Sequence, residues 1–156
     1  RPQGVGPLLG LSEPCTDAFF AAVHVEYLMK RYWQCAVTIS FPRMRSAEGC
    51  AVIPQEVSDR QFVQFMTAVR IVLPDVGFVV STREVPEFRN NLLGLGVTQM
   101  SAASATEPGG YTAKNISTAQ FQVEDSRSVA EFSEMLIAKG YDPVTKDWDA
   151  GLKAGK

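Results

Sequence analysis

Long apolar runs are missing from this 156-residue chain. No stretch approaches the ~18 residues that a bilayer-crossing helix requires, and the first residues carry neither the charged nor the apolar region of a secretory signal. A cytoplasmic location is therefore expected. A basic excess is missing too: 15 Lys and Arg stand against 17 Asp and Glu, the net charge is −2, and the cations are scattered. That distribution offers no electrostatic footprint for nucleic acid or for an acidic membrane. Cysteine is scarce. Cys15, Cys35 and Cys50 are an odd number at spacings that fit neither a zinc pattern nor a disulfide framework, so buried or incidental thiols are expected. There is one histidine, His24, and there is no low-complexity segment or domain linker. The chain starts Arg1-Pro2-Gln3 and enters a strand almost at once, as expected of a piece of a longer protein.

With 46% hydrophobic and 21% charged residues, the sequence can bury one core, and a single domain over residues 1–156 is expected. Strand patterns alternate with amphipathic ones. Val5 to Leu11 reads as a strand, followed by a helix from about Pro14 to Tyr32. Its apolar stripe is expected at Phe19, Val23 and Tyr27, with Phe20, His24 and Leu28 beside it. His24 is then expected to be a hydrogen-bonded core residue rather than a base. A second strand, Ala36–Phe41, is stopped by Pro42, and a polar loop with Arg43, Arg45 and Gly49 follows. Ser58 caps the next helix, whose Phe62, Phe65, Met66, Val69 and Leu73 keep the spacing of a helix packed on a sheet.

The third strand is Phe78–Ser81. Pro86 opens a short helix that closes near Gly94, and Gly96–Met100 is the fourth strand. The last helix starts at a capping box of Ser128 and Glu131 and ends at Lys139-Gly140.

Four successive strand–helix units imply an α/β fold with a parallel sheet, because a parallel crossover needs a helix-length connection. A closed eight-unit barrel takes about 250 residues, so four units make half of one. In such barrels function gathers at the C-terminal strand ends, which here fall at Gly10–Glu13, Pro42–Arg45, Ser81–Glu84 and Ser101–Thr106. All four are polar or glycine-rich. In the first of them, Gly6-Pro7-Leu8-Leu9-Gly10-Leu11-Ser12-Glu13, the lack of side chains at Gly6 and Gly10 would let a flat group lie against the backbone. Glu13 follows at a helix start, where negative charge is favourable. The same residues also suit a tight strand-to-helix turn.

Gly6, Leu8, Gly10 and Glu13 are similar to the glycine-x-isoleucine-x-glycine-x-x-glutamate pattern of radical S-adenosylmethionine enzymes, with Leu8 in place of isoleucine. Further segments are more specific. They include Ser40-Phe41-Pro42-Arg43-Met44-Arg45, Ser81-Thr82-Arg83-Glu84, Met100-Ser101-Ala102 and Pro108-Gly109-Gly110-Tyr111, together with Asp125-Ser126-Arg127-Ser128 and the stretch from Gly140 to Asp149. Together they resemble the C-terminal half of the 2-iminoacetate synthase family, the tyrosine lyases of thiamine biosynthesis.

The resemblance implies strands five to eight of a TIM-type barrel, a half that contacts S-adenosylmethionine and substrate. A 4Fe-4S cluster would be bound by a cysteine motif in the other half. The full enzyme would generate a deoxyadenosyl radical, abstract hydrogen from L-tyrosine and release p-cresol and 2-iminoacetate to a thiazole-forming partner. This half alone is expected to be inactive. By position, Gly6, Leu8 and Gly10 would line the adenine and Glu13 would orient their surroundings. Arg83 would grip the tyrosine carboxylate, with Ser101 and Ser81 near it, or would instead form a structural ion pair with Glu84 or a helix terminus. Arg43 and Arg45 are candidates for the carboxylate or the cofactor, or for solvated loop charges. Ser104 and Thr106 would bond substrate or cap their own loop.

At Ala103 the related loop usually carries glycine. No cysteine follows Cys50, which disfavours the second cluster of the related hydrogenase-maturation tyrosine lyase. A tryptophan lyase of the same plan stays open. So does a reading of another class, a non-catalytic module that associates with itself through its exposed sheet edges.

Overall fold

The computed structural model describes residues 3–44, 55–104 and 123–145. Arg45, Cys50, Thr106 and the segments 108–111 and 146–149 lie outside the described residues. Two units are distinguished, Arg1–Ser126 and Arg127–Lys156.

The first unit runs β1 (Gln3–Val5), α1 (Pro14–Arg31), β2 (Val37–Ile39), α2 (Asp59–Val72), β3 (Gly77–Val80), α3 (Pro86–Leu92), a turn of 3-10 helix (Leu93–Leu95) and β4 (Gln99–Met100). The four strands form one parallel sheet in the order β1-β2-β3-β4. Each strand lies beside its sequence neighbour, the order a barrel uses, and a constant crossover hand then puts the helices on one face. One apolar cluster indeed joins Ala18, Ala21 and Val25 of α1, Phe62, Met66 and Val69 of α2, and Phe88 and Leu92 of α3 to Val37, Ile39, Phe41, Phe78 and Val80 of the sheet. Phe41 is its hub, with ring centres 6.3 Å from Phe62, 6.2 Å from Phe65 and 6.4 Å from Phe78.

The strands pair over fewer residues than their patterns suggest, but their register extends further. Val5 pairs Ile39, and four residues on an isolated bridge pairs Leu9 with Arg43. Between them Ser40 N donates to Val5 O and Leu9 N to Pro42 O. The fourth strand starts only at Gln99. Gly96, expected to open it, instead closes the 3-10 turn at φ 84°, where the Arg70 guanidinium donates to its carbonyl at 2.7 Å.

Helix α1 reverses one expectation. It buries Pro14, Ala18, Ala21 and Val25, while Phe19, Phe20, Val23 and Tyr27 are exposed. Small residues let the helix approach the sheet closely, and the large ones fall on the far side. His24 is exposed with them, so it is not a core histidine.

In the second unit α4 (Val129–Ala138) has the expected capping box. Ser128 N donates to Glu131 Oε2 at 2.7 Å, and Glu131 N donates to Ser128 Oγ at 3.3 Å. These bonds, the Ser128 hydroxyl first, hold the Glu131 carboxyl below its ordinary pKa. Gly140 at φ 83° ends the helix, and Tyr141 N donates back to Leu136 O.

Candidate functional site

Residue parity sorts the strand ends into two chemistries. From Phe78 onward, Phe78, Val80, Thr82 and Glu84 are buried, and the alternate residues Val79, Ser81 and Arg83 are half-buried. The same alternation runs along the second strand. Val37, Ile39, Phe41 and Arg43 are buried, while Thr38, Ser40, Pro42 and Met44 are half-buried. Successive side chains of extended backbone point to opposite faces, so one parity faces the helices and the other forms a polar face.

Register then places the remaining candidates. Leu9 is fully buried opposite Arg43, which sets Gly6 and Leu8 on the polar face beside Ser40, Pro42 and Met44. The close approaches agree. A methyl at Gly6 would lie 2.6 Å from Ser40 Oγ, and one at Gly10 would lie 3.3 Å from Met44 Cβ. At the other edge Val79 pairs Gln99, and Ser101 N donates to Val80 O at 3.2 Å, which brings Ser101 beside Ser81. Gly6, Leu8, Ser81 and Ser101 therefore share one face toward the C-terminal strand ends, while Gly10 is buried in the turn that follows Leu9 and Arg83 is half-buried in the turn that follows β3.

Arg83 is a half-buried cation in the turn after β3, next to Ser81. Its backbone N–H donates to Ser81 Oγ at 3.4 Å. Partial burial lowers the Arg83 pKa, against the opposing pull of the Glu84 charge; a guanidinium stays charged at any working pH. Partial desolvation strengthens its attraction for a carboxylate, which accepts two parallel N–H bonds from the planar fork. The two serine hydroxyls add donors that can serve the same group.

Arg43 is neither a solvated loop charge nor a member of the polar face. Its Nε donates to Glu84 Oε1 at 3.0 Å, a second nitrogen pairs with Glu84 Oε2, and its remaining nitrogen reaches Val57 O at 2.9 Å and Asp59 Oδ1 at 2.7 Å. The guanidinium carbon lies 5.4 and 5.1 Å from the ring centres of Phe62 and Phe88. Burial works against its charge, but the bonds and charges of Glu84 and then Asp59 outweigh it and raise its pKa. Glu84, one of the partners expected for Arg83, binds Arg43 two-pronged while its charge also acts on the adjacent Arg83. A second buried pair lies nearby, in which Arg89 of α3 bonds Asp125 and the Ser101 carbonyl.

Glu13 caps α1. Its carboxylate accepts from Thr16 N at 2.6 Å, Thr16 Oγ1 at 2.8 Å and Cys15 N at 3.1 Å. The Thr16 bonds lead in pulling its pKa down to about 2. Its charge also raises the pKa of the exposed Cys15 thiol, mainly through their hydrogen bond. Gly10 sits at φ 107°, its carbonyl accepts from Gln55 N at 2.9 Å, and an added Cβ would come within 2.8 Å of Gln55 O. The Gly10–Glu13 turn is therefore tied both to the following loop, which buries Gly10, and to α1, while the backbone at Gly6, upstream of the turn, is exposed. That open strand edge fits a flat adenine-like group; Glu13, with both oxygens already engaged, fits as a support for the turn.

Ser104 is half-buried, and Ala103 has φ 51°. This left-handed backbone accounts for the glycine usual in the related loop, since a Cβ is strained there. Among the described residues no group of three His, Cys, Asp or Glu side chains could hold a metal ion, and no helix is long and apolar enough to cross a membrane. Sequence reasoning gave Thr82, Arg89 and Asp125 no role in this region and considered Glu84 only as a partner of Arg83. Counting parity onward from Val37-Ile39-Phe41 and from Phe78-Val80 would have put Arg43, Thr82 and Glu84 on the helix side.

Residues 40–142 match the Biotin and Thiamin Synthesis associated domain. The chain is 39% identical to the 2-iminoacetate synthase of Salmonella typhimurium and 38% identical to that of Escherichia coli, in each case over 96% of this chain and 40% of the relative. Among solved structures, it is similar to the FeFe-hydrogenase maturase HydG from Carboxydothermus hydrogenoformans, with a TM-score of 0.76 and 38% identity over 88% of this chain and 32% of that one. Another crystal structure of HydG gives a TM-score of 0.83 and 34% identity over 97% of this chain and 33% of that one. The chain thus spans about 40% of the length of the curated relatives it matches.

Proposed function

Because the chain belongs to the Biotin and Thiamin Synthesis associated domain family, we propose that it is the C-terminal part of a cytoplasmic radical S-adenosylmethionine tyrosine lyase. The full enzyme would cleave L-tyrosine to p-cresol and 2-iminoacetate for thiazole formation. The observation that carries this reading is that Arg83, Ser81 and Ser101 gather at neighbouring strand ends, as a carboxylate-bearing substrate requires. The relatives named 2-iminoacetate synthase, matched over 96% of this chain, support the choice of tyrosine.

The residues divide the work by position. Arg83 receives the amino-acid carboxylate in a two-pronged bond, and the Ser81 and Ser101 hydroxyls hold its orientation. Gly6, Leu8 and Gly10 lie along the adenine of S-adenosylmethionine, and Glu13 keeps their turn seated on α1. A 4Fe-4S cluster, whose ligands would lie in the other half of the full enzyme, would supply electron-transfer chemistry when bound. This chain contributes binding and orientation. Arg45, Ser104 and Thr106 remain candidates for further polar contacts.

The test is anaerobic turnover of the full-length protein with S-adenosylmethionine, a reductant and L-tyrosine, read by mass spectrometry. The expected products are p-cresol and 5′-deoxyadenosine together. Deoxyadenosine without p-cresol would assign another substrate, such as tryptophan; neither product from cluster-loaded protein would refute the reading.

A second reading, self-association of this chain, is favoured by the exposed Phe19, Phe20, Val23 and Tyr27 of α1 and by β1 as an end strand of the sheet. Light scattering on the isolated chain tests it, and a monomer at high concentration would refute it.

A further inference from the structure

We infer that Arg43 is a positioning residue for Arg83 and acts on it through Glu84. The inference rests on the reading of Arg83 as the carboxylate-binding cation. Arg83 lies between two residues that are each only 2% exposed, Thr82 and Glu84. On one side the Thr82 carbonyl accepts from Glu124 N at 3.0 Å and from Asp125 N at 3.1 Å. On the other, the Glu84 carboxylate is held by both prongs of Arg43. The backbone is thus pinned immediately before and after Arg83, which lies half-buried in the turn between these two anchors.

Arg43 is itself fixed from several directions. Val57 O and Asp59 hold it to the entry of α2, while Phe62 and Phe88 flank its guanidinium. Arg43 therefore couples the ends of β2 and β3 and the start of α2 to the turn that carries Arg83. Stability alone does not call for a charge here, because well-packed apolar residues serve a core as well as a buried ion pair or better. What the pair adds is geometry: a bidentate bond fixes both the distance and the plane of Glu84, and hence the backbone that carries Arg83.

The test is a double-mutant cycle in the full-length protein, read as the dissociation constant for L-tyrosine, with circular dichroism confirming the fold of each variant. Arg43→Lys keeps the charge and loses the fork; Glu84→Gln keeps the shape and loses the charge, and stands in if Arg43→Lys fails to fold. Each is expected to weaken L-tyrosine binding about 10-fold or more when Arg83 is present, and to have less than about a twofold effect in an Arg83→Ala background. Equal losses in both backgrounds would show that Arg43 acts on the fold at large and would overturn the inference. Wild-type protein that binds no L-tyrosine would refute the underlying reading, and the inference with it.

Discussion

Arg43 is buried past the end of β2 and Arg83 half-buried in the turn past the end of the neighbouring β3, and Glu84 joins one to the backbone of the other. Arg43 is enclosed by Glu84, Asp59, Phe62 and Phe88, whereas Arg83 lies next to Ser81. In the proposed function the two arginines divide structural and recognition work between them. The first prediction concerns stability. Arg43→Met leaves Glu84 buried without its guanidinium and is expected to lower stability by about 3–5 kcal/mol in urea unfolding. Arg43→Met with Glu84→Leu removes both buried charges and should recover most of that loss, while L-tyrosine binding stays weak. A double variant as unstable as the single one would contradict this account of the pair.

Ala103 occupies left-handed backbone at φ 51°. An alanine there costs about 1–2 kcal/mol in strain, and the greater unfolded freedom of glycine takes back about 0.4–1 kcal/mol. Ala103→Gly should therefore raise stability by up to about 1.6 kcal/mol, visible as a higher midpoint in thermal melting. A lower midpoint would show that the loop does not hold this conformation in solution.

Glu13 gives a pH dependence with a definite sign. Its folded pKa of about 2 lies below the ordinary value of 4.5, so its contribution is present above about pH 4.5 and is lost as the pH falls toward 2. Glu13→Gln should melt earlier than wild type at pH 7, with a gap that narrows as the pH drops through that window. A gap independent of pH would mean that the carboxylate charge does not stabilise the start of α1.

Much of this fold was legible because its signals are local. Ser58 and Ser128 with Glu131 mark helix starts through their own hydrogen bonds, and Pro86 and Gly140 mark ends and beginnings through backbone geometry. The α1 stripe was misplaced because hydrophobicity favoured Phe19, Phe20 and Tyr27, while packing against the sheet selected Ala18, Ala21 and Val25. In the site, the glycines and the serine–arginine ends were legible as strand-end chemistry. The environment of Arg43 was not, since its charge suggested solvent while its partner Glu84 lies 41 residues away in sequence. Only the parity of the strands carried that information.

The most direct test of the central claim, that this face grips an amino-acid carboxylate through Arg83, compares two ligands on the full-length protein. L-tyrosine and tyramine share the phenol and the amine and differ in the carboxylate. Arg83→Ala is expected to weaken L-tyrosine binding by about 10- to 100-fold, the worth of a charge-assisted bidentate bond, and to leave tyramine unchanged. Equal losses for both ligands, or no loss for L-tyrosine, would contradict the account.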